Sequence, residues 1–437
     1  MRQFLLTFAA AAGALTMGFA SDWPQWRGPD GQGHAVGRGF PVKWSESENV
    51  LWKCDIRGRG WSSPVIEGGT AWLTTAEETP LTAAEKAERL KRNTGDQPLT
   101  VLKKVDLRAV GVDLTNGKVV HDVLLLSVED PQWVHELNSY ASPTPVLGKG
   151  RLYAHFGALG TACLDTATGK VIWQNRDLVV MHENGPGSSP VLWKDQLIFH
   201  MDGSDAQFVA ALDPASGKVL WKTPRSGEMH PNPQLKKSYG TPLPAMVNGT
   251  EQLLSPASNW LYAYDASGAE LWKLAYGGLG FSLTPRPVLG HGMLFMSTGF
   301  MKAEMLAIRL EGEKAPEIVW RATKNVPTMP SPILLGDELY FVNDSGMLTC
   351  LDAKTGEERY RERLGGEYSA SPTAADGRLY FPNRAGVTSV VKGGPKFEVV
   401  ATNTLPGKVL ASLAAVDGVF YLRTDSALWA IGGNVGK

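Results

Sequence analysis

A short phrase returns eight times along this chain, and that repeat constrains the fold more than any single residue does. Each copy opens on a small hydroxylated residue followed by Pro and an apolar pair: Ser63-Pro64, Ser142-Pro143, Ser189-Pro190, Thr241-Pro242, Thr284-Pro285, Ser331-Pro332, Ser371-Pro372 and a weaker Ser412-Leu413. From the second copy onward the spacings are 47, 52, 43, 47, 40 and 41 residues. A period of about 40 to 50 residues built from short strands is that of a β-propeller, with one four-stranded blade per copy. The repeat therefore predicts an all-β fold, an eight-bladed β-propeller of four-stranded antiparallel blades over residues 49–433.

The interior of the copies agrees. Apolar runs such as Leu152-Tyr153-Ala154, Leu197-Ile198-Phe199 and Leu379-Tyr380-Phe381 do not alternate with polar residues, as expected of strands covered on both faces by neighbouring blades. A later strand ends in a tight turn opened by Asp and closed by Gly: Asp113 and Gly117, Asp165 and Gly169, Asp213 and Gly217, Asp352 and Gly356. The Asp carboxylate can accept backbone N–H groups of the turn, and Gly takes the positive φ at little cost. Trp173, Trp221, Trp272 and Tyr360 follow these turns and are expected to wedge between adjacent blades. The last copy, 412–431, lacks a strand of this Trp-bearing type, whereas residues 49–53 form an unattached one. The N-terminal strand is thus predicted to close the ring and remove its open edge.

Three segments lie outside the repeat. Residues 1–20 carry Arg2 and an apolar stretch ending in small residues before Ser21, the form of an export signal, which places the protein in the periplasm or cell envelope. The apolar stretch is shorter than the roughly 20 residues of a membrane span, and no later segment is apolar enough for one. Residues 21–48 form an arm rich in Trp, Gly and Pro, expected to pack on the propeller because exposed Trp rings are costly. Residues 77–104 interrupt the first blade, and Thr82-Ala83-Ala84-Glu85 within them has the form of a helix capping box. The helix is expected to run to Arg92, as a solvated excursion. Net charge is −1 with both signs interspersed, which gives no electrostatic footprint for nucleic acid. Of the three cysteines, Cys163 and Cys350 fall at the same repeat position in opposite blades, too far apart to bridge. With Cys54 they are expected to be buried, unpaired thiols.

The stretches from Ala162 to Trp173 and from Ala211 to Trp221, with their Leu-Asp-x-x-Thr/Ser-Gly-Lys-Val core, resemble the repeats of pyrroloquinoline-quinone-like β-propellers. That superfamily includes quinoprotein alcohol dehydrogenases and the propeller lipoprotein of the outer-membrane β-barrel assembly machinery, which is BamB. The opening Trp23-Pro24-Gln25-Trp26-Arg27-Gly28-Pro29 further resembles exported propellers of planctomycete-type bacteria. The resemblance to the dehydrogenases implies a quinone (PQQ) under a disulfide of adjacent cysteines, beside an acidic calcium site. This chain has no Cys-Cys pair, and those acidic ligands map onto none of its copies. The resemblance to the assembly lipoprotein implies a lipid-accepting Cys after the leader, where Ser21 and Asp22 stand instead.

Loops leading into the innermost strands carry the unusual residues. His135-Glu136 and His182-Glu183-Asn184 stand 47 residues apart, the interval between Ser142 and Ser189, so both pairs are expected to converge on one ligand or ion. The next such loop adds His230, Asn232, Lys236 and Lys237. Trp61, Tyr140 and Tyr239, each three residues before a Pro, form a candidate aromatic collar, to which Arg57, Arg59 and Arg286 would add positive charge. The competing reading has the histidines and asparagines satisfying loop backbone. No nucleophile elbow and no phosphate-cradling loop occurs. The expectation is a monomeric, non-enzymatic envelope propeller that binds a protein or a polysaccharide, in outer-membrane protein assembly or elsewhere, with no catalytic residues and no cofactor. The alternative is a periplasmic enzyme dependent on PQQ or a divalent metal, working at the channel mouth.

Overall fold

The computed structural model describes residues 22–93, 95–277, 280–312 and 315–433; the expected leader, 1–20, lies outside them. The described strands form eight four-stranded antiparallel blades in a ring. Blade 1 comprises Val65–Glu67, Thr70–Pro80, Leu102–Asp113 and Val119–Glu129 from the channel outward. Blades 2 to 7 follow in chain order. Blade 8 comprises Ala414–Val416, Val419–Arg423 and Ala427–Gly432, with the N-terminal strand Val50–Asp55 as its outermost member. That strand pairs antiparallel in the register Lys53 to Trp429, Cys54 to Leu428 and Asp55 to Ala427. Closure by the N-terminus is therefore as the repeat count implies.

The recurring turn and Trp form one joint between blades. Asp165 Oδ1 accepts the Thr168 N–H at 2.8 Å, and the Gly169 N–H donates to the Asp165 carbonyl at 2.8 Å. The Trp of one outer strand then lies flat on the turn glycine of the next blade. A Cβ on Gly217 would come within 2.5 Å of the Trp173 ring, and one on Gly117 within 2.6 Å of Trp52. The indole N–H groups reach the same turns, Trp173 donating to the Pro214 carbonyl at 2.9 Å and Trp52 to that of Leu114 at 2.8 Å. Glycine is thus required there twice, for positive φ and for the bare face on which the ring lies.

At the axis, a belt of hydroxyls ties blade to blade and corrects the alignment of two copies. The Ser63 N–H donates to Thr144 Oγ1, Thr144 to Ser189 Oγ, and Ser189 to Thr241 Oγ1, at 2.9, 3.0 and 3.0 Å. Beyond a gap in blade 5 the belt resumes from the Arg286 N–H to Ser331 Oγ, then to Ser371, Ser412 and back to Ser63. The residues equivalent to Ser63 in blades 2 and 5 are therefore Thr144 and Arg286, not Ser142 and Thr284. Each of these blades carries two consecutive X-Pro pairs, and the second one enters the strand.

The arm seals one face. Beginning at Trp23, which exchanges backbone bonds with Ile66 of blade 1, it crosses the far ends of the innermost strands. It bonds Leu147 of blade 2, Leu289 of blade 5, Leu334 of blade 6, Ala374 of blade 7 and Ala415 of blade 8. Trp23, Phe40 and Trp44 join the hydrophobic core that runs through blades 7, 8 and 1. Arg286 does not charge the mouth, as the sequence suggested. It is buried in the channel wall, where its Nη1 donates to the Trp26 carbonyl at 2.8 Å, while Arg27 reaches the Pro332 carbonyl at 2.8 Å from the arm side. Burial, with the charge of Arg286, brings Arg27 down to about 9, and burial brings Arg286 to about 10.

Two smaller expectations have direct outcomes. Cys54, Cys163 and Cys350 are buried and free, and burial pushes Cys163 and Cys350 up to about 12. The insertion in blade 1 is less of an excursion than its sequence suggested, because the second and third strands stay paired from Thr70 with Asp113 to Pro80 with Leu102. Only the tip departs, through a helix Ala83–Leu90 that is capped by Thr82 and Glu85 and ends two residues short of Arg92.

Candidate functional site at the channel mouth

Opposite the arm, the loops leading into the innermost strands surround a cavity of about 1000 Å³. Its floor is Trp26, whose indole N–H rises from the arm to Ser412 Oγ at 3.4 Å, so the channel ends blindly. Above the floor stand the hydroxyls of Ser63, Thr144, Ser189 and Ser412 from the interblade belt. Two residues before the belt position, every blade contributes one lining residue: Trp61, Ser142, Gly187, Tyr239, Thr284, Met329, Ser369 and Leu410 in blade order. Two of the eight are aromatic, Trp61 on blade 1 and Tyr239 on blade 4, while Tyr140, the third residue expected in the collar, lies outside the lining. Gly187 lies bare beneath Tyr239, since a Cβ there would sit 2.7 Å from the tyrosine Cβ.

The walls are uneven. Blades 6 to 8 present short loops, whereas blades 1 to 5 raise long ones. Helix Ala83–Leu90 is fixed over the mouth by Arg89, which bonds the carbonyls of Leu102 and Pro131 and pairs with Asp130 at 2.7 Å. Leu99–Thr100 pairs with Val134–His135, and Gly280–Phe281 with Phe300–Met301, so two small ribbons stiffen the rim. Phe281 and Phe300 meet edge to face with centroids 5.8 Å apart, and Phe300 is 52% exposed. Trp133, Phe281 and Phe300 line the cavity. The sequence reading missed all three. Their only signal is an apolar aromatic in a loop otherwise rich in Gly, Pro and polar residues.

The two His-Glu pairs do not converge. His135 and Glu183 line the cavity; Glu136 and His182 do not. His182 is buried under the loop of blade 2, where its Nε2 accepts the Ala158 N–H at 3.0 Å and its own backbone is held by Gln132 and Tyr239. Gly157 has φ +58° and no room for a side chain, since a Cβ would fall 2.2 Å from His182 Nε2. Burial lowers His182 to about 4 and its neighbour His155 to about 3, so both are neutral. His135 Nδ1 accepts the Leu137 N–H at 3.1 Å, and burial lowers its pKa too. Glu183 accepts from Ser204 Oγ at 2.9 Å. Asn184 lines the cavity, and its carbonyl accepts from His135 N–H and Asn138.

The remaining candidates separate in the same way. Tyr140 is fully buried with its hydroxyl on the Gln132 carbonyl at 2.8 Å, and burial raises its pKa. Tyr239, also raised by burial, shows a ring edge to the cavity while its hydroxyl donates to the His182 carbonyl at 2.7 Å. His230 folds back to accept the Asn232 N–H at 3.0 Å, away from the cavity lining. Lys237 lines the cavity, but its Nζ is held by Gln234 Oε1 at 2.5 Å. Arg59 lies 5.9 Å from the Trp61 ring and bonds the carbonyls of Glu136 and Asn138, whereas Arg57 lines a separate cleft.

A metal-bound quinone would require carboxylates gathered on one side of such a cavity. Asp130 and Glu183 are the lining carboxylates, on separate loops and each already bonded. No three His, Cys, Asp or Glu side chains assemble as a ligand set among the described residues. The residues present do not fit that group.

Comparison with known proteins gives the architecture its family. The family model described as outer membrane protein assembly factor BamB matches residues 35–185, 205–330 and 257–435. No curated protein sequence matches. Among solved structures, BamB from Moraxella catarrhalis is similar with a TM-score of 0.55 at 13% identity, over 76% of this chain and 99% of that one. A europium-containing methanol dehydrogenase gives 0.52 at 11% identity, over 92% and 89%. The quinohemoprotein alcohol dehydrogenase from Comamonas testosteroni gives 0.51 at 13% identity, over 95% and 81%. At these identities the structures speak for the fold, which enzymes and assembly factors share. The matched segments take in most of the sequence, and the chain belongs to the BamB family of outer membrane protein assembly factors.

Proposed function

We propose that this chain is an exported, non-catalytic binding propeller of the cell envelope that takes its partner at the channel mouth. One observation carries the reading: apart from Arg92 at the exposed outer rim, the titratable groups of the mouth are spent on its architecture. His135 and His182 accept loop N–H groups, Glu183 holds Ser204, Lys237 holds Gln234, and Asp130 is paired with Arg89. Among the described residues no acid and base face each other across the cavity unbonded, and such a pair is the first requirement of general acid–base catalysis. What the mouth offers instead is a blind pit with exposed apolar positions at its rim, Met181 and Phe300 among them. Exposed apolar groups clustered on one face mark a contact surface. Membership of an assembly-factor family and the expected leader support an envelope setting. Among the described residues no helix is long and apolar enough to cross a membrane.

A photo-crosslinking amino acid placed at Met181 or Phe300, and at Val120 on the outer perimeter, tests this in envelope preparations. Adducts are expected from the two rim positions and not from Val120. Adducts confined to Val120, or absent from the rim, would overturn the assignment of the mouth.

A further inference from the structure

The belt hydroxyls have a property that interblade bonding does not use up. A hydroxyl carries one O–H donor and two acceptor lone pairs. Ser63, Thr144, Ser189 and Ser412 each accept a backbone N–H through oxygen, and none donates its own proton to another group among the described residues. All four line the cavity. The deep wall therefore carries an arc of O–H donors, on the adjacent blades 8, 1, 2 and 3, above an indole floor.

We infer that the mouth binds a neutral oligosaccharide, stacked on its aromatic walls and hydrogen-bonded by this arc of hydroxyls. The inference rests on the mouth being the binding site. Its argument is one of exclusion by cost. An apolar side chain seated on the arc would strand O–H donors without acceptors, at about 1–3 kcal/mol for each. A sugar supplies both acceptors and donors at short spacing, and its C–H faces match the flat apolar surfaces of Trp61, Trp133 and Phe281. An anionic chain gains little, because the lining charges are paired or bonded within the protein. Arg92 is the exception, at the exposed outer rim. The volume of about 1000 Å³ is at the upper end of small-ligand pockets, roughly 300–1,000 Å³, which gives room for several sugar units. The short loops of blades 6 to 8 leave a low side over which a longer chain can pass.

The test is calorimetric titration of the full exported chain, with tryptophan fluorescence as a second readout. The probes are neutral oligomers of glucose, xylose, mannose and N-acetylglucosamine, with galacturonate oligomers and a Leu-rich peptide as controls. At least one neutral oligomer is expected to bind and shift the fluorescence. Trp61→Ala is expected to weaken that binding at least tenfold, and so is Phe300→Ala, whose exposed position keeps folding out of question. Binding by the peptide or the uronate oligomers alone, lost in Phe300→Ala, overturns the sugar while leaving the mouth as the binding site. No binding by any neutral oligomer overturns it as well. Neutral binding that neither variant weakens places the sugar elsewhere and overturns both readings.

Discussion

The two faces of the ring are built to opposite ends. On one, a single extended arm crosses the ends of the innermost strands, buries Trp23, Phe40 and Trp44, and locks Arg27 into the channel through backbone carbonyls. On the other, loops from five blades stand apart around a pit and leave Phe300 about half exposed. The same innermost strands connect both. Stability is thus concentrated where the chain closes on itself, and recognition where it does not. The arm face spends its polar groups largely on backbone carbonyls of the blades, whereas on the mouth face an arc of hydroxyl donors is left over.

Removing the arm is the largest way to break this contrast. Deletion of residues 22–48, with the closing strand Val50–Asp55 kept, exposes the sites of three buried aromatics. At about 1.5–3 kcal/mol for each large side chain, roughly 5–9 kcal/mol is at stake, comparable with a domain's whole stability. It also leaves Arg286 without its Trp26 and Gln25 partners. A fall in melting temperature on the order of 10 °C or more, or failure to fold, is expected in thermal denaturation. A deletion variant that melts with the full chain would make the arm an ornament and erase the difference between the faces.

The asymmetry between the faces also explains what the sequence could and could not convey. Blade number, the Asp-Gly turns, the Trp joints and the closing strand were legible because each serves a local or nearest-neighbour need of the repeated blade. Thr82 and Glu85 were legible because a capping box is complete within four residues. The mouth was not. Whether His182 points at a ligand or under Gly157 depends on a loop that no repeat constrains, and the matched spacing of the His-Glu pairs carried no matched geometry. Nor did the first X-Pro pair of blades 2 and 5 reveal that the second is the one in register, a choice made by hydrogen bonds across the channel. Trp133, Phe281 and Phe300 come from loops of three different origins and meet only in space.

His182 sharpens the contrast from within the mouth, since it is a mouth-loop residue buried like one of the core. Its folded pKa of about 4 lies below the ordinary imidazole value near 6.5. The unfolded chain therefore binds the extra proton first. Stability is full above about pH 6.5 and is lost as pH falls toward 4, by roughly 2 kcal/mol at pH 5. His155, lowered to about 3, adds a loss of the same sign. Melting temperatures between pH 7.5 and 4.5 should fall steeply for the parent and less steeply for His182→Ala. At neutral pH that variant should itself be weaker by about 1–3 kcal/mol, because the Ala158 N–H loses its acceptor. His135→Ala should change little, as its ring is only half buried. Equal behaviour of the two variants would mean that the buried cap is not what distinguishes them.

The smallest expected effect lies at the rim itself. Phe300 sits in the two-residue ribbon with Gly280–Phe281, touches Phe281 edge to face, and turns about half of its surface to solvent. Little apolar area is removed from water there on folding, so Phe300→Ser should shift stability by no more than about 0.5 kcal/mol, the range of ordinary surface changes. Denaturant titration compares it with Phe40→Ser on the opposite face. Phe40 is 3% exposed and packs on Phe420 with centroids 4.8 Å apart, so its loss should cost about 3 kcal/mol or more. A sixfold or larger ratio between two chemically identical substitutions would measure the division between the faces directly. A ratio near one would show that the mouth ribbon bears as much of the fold as the arm, and the aromatic rim would then be explained by stability alone.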